Sequence, residues 1–281
     1  IAIFAIAAIW ASGLWGGAFS EPVELSNADA LLASVAFSIL AFKGFTTITN
    51  SGAEMVDPHK NIGRTIMISI AVCIVIYLLV ALAVGSSLSI SQIVQARDYS
   101  LAAAARPAFG QMGFYFTVAI ALTATISGVI ASVFAASRML AMLTEMKMIP
   151  HSHFGMSGGI RSHMLVYTVV IAGTLAALFD LSRIASLGAF FYLVMDMLVH
   201  WGVLRHLRKE VGASATVLLA ALAADGVVLA AFTAAKLRSD PAIVAYAIIG
   251  IAIVFLGQWI FLSRNPDAPA SPEKDQSEET G

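Results

Sequence analysis

The chain has 281 residues, 59% of them hydrophobic and 12% charged, with a formal net charge of −1 and a mean hydropathy of +0.87. A soluble domain carries about 25% charged residues, so this chain has too little polar surface to cover a water-soluble globule, and the excess apolar surface must face lipid. The near-neutral balance offers no basic field for nucleic acid, and a single cysteine, Cys73, excludes a disulfide framework.

The first residue, Ile1, already lies in an apolar stretch with no charged region or cleavage site before it. It does not read as a signal peptide, and the expectation is a chain whose N-terminal part belongs to a longer protein. Residues 1–18 read as the end of a helix, followed by a polar loop with Glu21, Pro22, Glu24 and Asn27. A spanning helix needs about 20 mostly apolar residues. Segments of that kind are predicted at 28–55, 64–88, 112–142, 163–180, 184–205, 214–236 and 242–262. The fold class is therefore all-α: a polytopic membrane protein with a transmembrane domain over 1–262, made of about seven spans and one truncated span.

The stretch 89–111 holds Arg97, Asp98, Arg106 and Pro107 and is too polar to cross. One or two short helices at the membrane surface are predicted there. Residues 263–281 carry prolines, acids and serine with almost nothing apolar, and are predicted to form a disordered, solvated tail. Orientation follows from lysine and arginine placement. With the tail inside, the inner loops hold Lys60, Arg64, Arg138, Lys147, Arg161, Arg205, Arg208, Lys209, Arg264 and Lys274. The outer loops hold Arg97, Arg106, Arg183, Lys236 and Arg238, which favours a cytoplasmic C-terminus in a plasma or inner membrane.

The most informative stretch runs from Phe42 to Glu54. It sits inside a predicted span yet carries Lys43, Gly44, Gly52, Thr46, Thr47, Thr49, Asn50 and Ser51. A lysine at mid-membrane costs about 2.5–3.5 kcal/mol on insertion scales. Glycine and clustered hydroxyls lower helix propensity and re-satisfy freed backbone groups. A discontinuous helix here would expose backbone N–H and C=O groups at membrane depth, where transporters bind carboxylates and ions. The alternative is a continuous helix packed through Gly44 and Gly52. Glu54 then precedes Asp57-Pro58 and a basic loop with Lys60 and Arg64.

The run from Phe42 to Arg64 resembles the sixth helix and following loop of the amino acid–polyamine–organocation permeases. The shared pattern is an aromatic and glycine break, a glutamate four residues before proline, and a basic loop. Gly63 stands where that family has its second proline, Ala53 replaces the first of its two glutamates, and Lys43 replaces an apolar or small residue. Ala136-Ser137-Arg138-Met139-Leu140-Ala141-Met142, ending at Met148-Ile149-Pro150, is similar to the family's element at the inner end of its eighth helix. There Glu145-Met146-Lys147 occupies the place of Arg-Asp-Gly. Ile184 to Gly188 resembles the start of the tenth helix.

This resemblance implies a leucine-transporter-type inverted-repeat fold, running here from the end of the fifth helix to the twelfth, with the N-terminal helices missing. It implies substrate contacts at Phe42, Lys43, Gly44, Phe45 and Thr46, with Phe42 or Phe45 as a gate over the substrate, and a structural or gating role for Glu54, paired with Arg138. The implied activity is secondary transport of an amino acid or related amine by alternating access.

Other ionisable groups fall inside predicted spans. Asp196 and His200 are spaced i, i+4 on one helix face. A carboxylate and an imidazole in a dry site can relay a proton, so Asp196, His200 and Lys43 are the candidate proton-coupling groups. The alternative is a polar pair that only fixes packing. Asp225 in the next span is expected to pair with the preceding helix, with His200 as the named partner. Thr123, Thr125 and Ser127 place hydroxyls where sodium-coupled relatives of this fold hold sodium, but Lys43 disfavours a neighbouring cation. No metal ligand set, phosphate loop or nucleophile elbow is found. The reading is therefore a transporter rather than an enzyme, with no cofactor, membrane lipid as its surroundings and a small molecule plus a proton as partners. An organic cation or polyamine carrier of the same fold, or a non-transporting membrane sensor, is the alternative.

Overall fold

The structure is a computed structural model that describes residues 1–13, 16–20, 28–42, 44, 48, 55–149 and 158–264. Its helices are α1 (Ala2–Ser12), α2 (Ala28–Ala41), α3 (Pro58–Ser87), α4 (Ile90–Gln95), α5 (Ser100–Ala104), α6 (Arg106–Glu145), α7 (Ile160–Leu178), α8 (Leu181–Gly202), α9 (Ala215–Ser239) and α10 (Pro241–Arg264). A 3₁₀ turn covers Gly17–Ser20, and α8 continues as a π-helical turn over Val203–Leu207. Among the described residues there is no strand, and six helices (α3 and α6 to α10) are long and apolar enough to cross a membrane. Large side chains such as Val72, Phe116 and Ile253 are more than half exposed on them. Apolar surface faces outward because lipid, not water, is its solvent. The protein is an all-α polytopic membrane protein.

Local chemistry sets the helix ends. Pro58 opens α3 in its first turn, where a missing N–H costs nothing. Ser89 and Gln92 close a reciprocal capping box at the start of α4. The Asp180 carboxylate accepts from the Arg183 N–H at 2.9 Å and caps α8. Gly110, at φ +61°, kinks α6 just before the predicted span at 112–142 begins. The short helices α4 and α5 occupy the polar stretch 89–111, as the sequence suggested.

Three elements differ from the expected ones. The helix predicted over 1–18 ends at Ser12, where Gly13 turns to φ +75°, and the chain resumes as the 3₁₀ turn. Of the segment predicted over 28–55, α2 covers Ala28–Ala41 with Phe42 in a turn, and residues 43, 45–47 and 49–54 lie outside the described residues. The helix predicted from Ile184 starts three residues earlier, at the Asp180 cap. Residues 265–281, most of the predicted tail, lie outside the described residues.

The chain divides into two compact units. The first comprises residues 1–25 and 44–132, and the second 26–43 and 133–281. In the first unit α1 lies along α3, with Ala5, Ala8 and Ala83 fully buried and Ile9 and Leu79 packed beside them. Small residues let helix backbones approach closely, which lipid-embedded helices need because burial from lipid gains little. Ser12 Oγ bonds to the Ala8 carbonyl at 2.7 Å and lies 3.1–3.2 Å from the hydroxyls of Ser86 and Ser87. Gly17, at φ +57°, is pressed against the end of α3: a Cβ there would stand 2.6 Å from the Gly85 carbonyl oxygen. Only glycine fits that position.

In the second unit α2 packs on α8 and α9, and α10 packs on both of these. The core is Ala36, Ala189, Phe190, Leu193, Val228, Phe232, Ile243, Val244 and Ala247. Phe232 is fully buried at its centre. Its ring meets Phe37 edge-on at 5.2 Å and Phe190 at 4.8 Å. The Lys236 ammonium lies 5.2 Å from the Phe37 ring and 5.6 Å from the Phe232 ring, a cation–π arrangement that joins α9 to α2.

The end of α6 carries a conformational cost. Lys147 sits at φ +57°, with the Met148 N–H bonded back to the Leu143 carbonyl at 2.9 Å. Glycine is the usual residue at such a helix C-terminus. A side chain there costs on the order of 1–2 kcal/mol, part of which glycine would give back through its freer unfolded chain. Lys147→Gly is therefore expected to stabilise the protein by about 0.5–1 kcal/mol, read as a higher melting temperature in detergent.

Truncating Phe232 to alanine should have the opposite effect. The void is on the order of 100 Å³, which at about 24 cal/mol per Å³ amounts to about 2 kcal/mol. Lipid is as apolar as the core, so this cavity cost dominates over transfer. Melting of Phe232→Ala should fall well below wild type, and Phe232→Leu should recover part of the loss.

Candidate functional site

The interruption predicted in the second span begins where α2 stops. Helix α2 has 14 residues, about 21 Å of rise, against a hydrocarbon core of about 30 Å. The Phe42 N–H turns back onto the Ile39 carbonyl at 3.1 Å, tightening the last turn of α2. Phe42 is half-buried and Gly44 is exposed. A Cβ built on Gly44 would meet nothing within 4 Å, so this glycine is not held by close helix packing. That argues against a continuous helix packed through Gly44. The other residues expected to touch substrate, Lys43, Phe45 and Thr46, lie outside the described residues, as does Glu54. The division between the two units falls between Lys43 and Gly44, within the predicted break.

Helix α2 is held by its neighbours along its length. Phe37 and Ile39 pack on the core of the second unit, and Leu40 lies near Gly188 on α8, its Cδ1 at an ordinary contact distance of 3.5 Å from where a Cβ would stand. Gly188 closes the segment that resembled the start of a tenth helix.

The second motif lies on the last turns of α6. Ser137 and Ala141 are buried, and Ser137 Oγ bonds to the Phe134 carbonyl at 2.9 Å. Arg138 is exposed, with its guanidinium 5.5 Å from the centre of the Phe134 ring. The chain after the motif is pinned to α10, where Gln258 Nε2 donates to the Met148 carbonyl at 2.9 Å.

The intramembrane acids and histidine are partly brought together. His200 Nδ1 lies 3.0 Å from Asp225 Oδ2, joining α8 to α9, with both side chains largely shielded. This is the partner expected for Asp225. Asp196 stands one turn before His200 and is half-buried. His200 is followed directly by the π-helical turn Val203–Leu207. Such turns widen a helix by one residue and frequently accompany functional positions. Thr123 Oγ1 donates to the Ala119 carbonyl at 2.9 Å on its own helix. Nothing in the spacing of the sequence pointed to the π turn, to Lys236 over Phe37, or to the 2.7 Å ion pair between Arg183 and Asp240. The last two depend on side chains that meet only after the helices pack.

A family model described as amino acid permease matches residues 1–262. An uncharacterised protein of Methanocaldococcus jannaschii is 28% identical over 190 residues, which is 66% of this chain and 43% of that protein. The inner membrane transport protein YbaT of Escherichia coli K12 is 24% identical over 213 residues, 74% of this chain and 49% of that protein. The chain thus spans about half the length of the curated relatives it matches, or slightly less. With a permease model matched over nearly its whole length and the helices of a polytopic membrane protein, the chain belongs to the amino acid permease family.

Proposed function

We propose that this chain is the C-terminal portion of a secondary transporter that moves an amino acid or a related amine by alternating access, driven by protons. The observation that carries the reading is a permease match over 1–262 combined with a helix that stops at Ala41, short of the membrane thickness. A helix C-terminus carries partial negative charge, which suits a substrate ammonium or a coupling cation. Lys43 follows that terminus by two residues and offers a positive charge for a substrate carboxylate. The inverted-repeat architecture, an inward-facing C-terminus and a plasma or inner membrane setting belong to the same proposal.

In this reading Phe42, Lys43, Gly44, Phe45 and Thr46 contact substrate, and Glu54 and Arg138 act in structure or gating. Lys43, Asp196 and His200 carry the coupling proton. Proton coupling is favoured over sodium for two reasons. Ionisable groups accumulate in the spans at Asp196, His200 and Asp225, and the positive charge of Lys43 disfavours a neighbouring cation.

The test is uptake of labelled amino acids by liposomes holding the full-length protein, with and without an inward proton gradient. Gradient-stimulated uptake is expected for wild type, and its loss is expected in Lys43→Met and in Asp196→Asn. Uptake that ignores the gradient would leave transport standing and remove proton coupling. No uptake of any amino acid would shift the reading to an organic cation.

The His200–Asp225 pair allows a separate check. Interhelical hydrogen bonds in membranes are worth about 0.6 kcal/mol on average and up to about 1.7. A double-mutant cycle with His200→Phe and Asp225→Asn should return a coupling energy of about 1 kcal/mol in unfolding measurements. A value near zero would mean that the two helices do not depend on this bond.

A further inference from the structure

Helices α8 and α10 run parallel and in register. At their starts Arg183 Nε bonds to Asp240 Oδ2 at 2.7 Å, an offset of 57 positions. Further along, the Phe191 ring lies against Gly250, where a Cβ would come within 2.8 Å of Cζ, an offset of 59 positions. Arg205 lies in the π turn that continues α8, and Arg264 is the last residue of α10, so both arginines close the same end of this parallel pair. Arg208 and Lys209 follow Arg205, and Glu210 is the acid beside them. All four basic side chains are exposed.

An apolar groove of about 330 Å³ runs between these two helices, walled by Gly188, Tyr192, Leu198, Ile251, Val254 and Phe255. It opens outward: Leu198 is 47%, Val254 61% and Phe255 49% exposed. Arg205 lies seven positions beyond Leu198 and Arg264 nine beyond Phe255, about 10–14 Å along the helices. That falls within the depth of one leaflet, about 15 Å. Apolar slot and basic end are therefore stacked as the chain and phosphate of one lipid molecule are. Basic residues at helix ends are ordinary in membrane proteins. A groove in register with two arginines from different helices is a more specific arrangement, because guanidinium forks bind phosphate oxygens bidentately.

We propose that the groove between α8 and α10 binds an anionic phospholipid, with an acyl chain along Leu198, Val254 and Phe255 and the phosphate held by Arg205 and Arg264. Arg208 and Lys209 add attraction at the headgroup level. The site ties the free ends of α8 and α10 together on the side opposite the Arg183–Asp240 pair.

The experiment uses the full-length protein, delipidated in detergent and titrated with palmitoyl-oleoyl phosphatidylglycerol or the corresponding phosphatidylcholine, with bound lipid counted by native mass spectrometry. Phosphatidylglycerol should bind about tenfold more tightly than phosphatidylcholine, as expected for charge-assisted phosphate contacts. Arg205→Gln with Arg264→Gln should erase that preference. Val254→Trp, which fills the groove and leaves the arginines in place, should also weaken binding. Arg161→Gln, a basic residue near the start of α7, should not. Equal retention of the two lipids, or a preference that survives the double variant, would overturn the proposal. Competition by inorganic phosphate as effective as that by the lipid would overturn the part played by the groove. Removing residues 265–281, whose acids follow Arg264 in the sequence, should preserve or strengthen lipid binding, and a loss would overturn the proposal.

Discussion

A helix that ends inside a membrane leaves carbonyl groups with no water to bond to. In the proposed reading, helix α2, which stops at Ala41, falls under that constraint. Such an end is tolerated only where protein or a wet cavity receives it, so α2 has to be fixed by its neighbours rather than by its own length. The Phe232 ring is the means. It sits between Phe37 of α2 and Phe190 of α8, and Lys236 closes over the aromatic pair. In lipid the hydrophobic effect gives helices no reason to associate. Dispersion between well-fitted rings and a desolvated cation–π contact must supply the attraction instead. The end of α2 is thus anchored by a packed core, and the residues proposed to touch substrate follow it in the sequence.

The polar residues of the spans serve two purposes that their chemistry distinguishes. Hydroxyls such as Thr117, Thr123 and Ser186 return their protons to carbonyls one turn back and remain parts of their own helices. The His200–Asp225 pair instead crosses between helices. A buried charge or imidazole without a partner is costly in a low-dielectric medium, and a satisfied pair is cheap to keep. Asp196 adds a second carboxylate on the same face of α8, and the π turn after His200 gives that helix a place where its ladder changes pitch. A carrier that must load and release a proton needs ionisable groups of this kind held by structure, and this is the physical basis for naming Asp196 and His200 in the proposed mechanism.

Much of this protein was legible in its sequence. Low charge and long apolar runs fix a helical membrane protein, because only helices or closed barrels satisfy the backbone in lipid. The positions of α3 and of α6 to α10 followed from the same runs. The Phe42–Arg64 and Ala136–Pro150 patterns pointed to the permease family that the comparison with known proteins establishes. Helix α2 ends at Ala41, just before the Lys43-Gly44 pair that reads in the sequence as a poor fit to a continuous span. What tertiary structure decided depends on contacts between residues far apart in the chain. Phe37 meets Phe232, His200 meets Asp225, and Arg183 meets Asp240, each through side chains that no local periodicity links. The apolar groove between α8 and α10 has the same origin. Periodicity specifies which face of a helix is apolar, but the partner of that face, and the height at which the two meet, is set only when the helices pack.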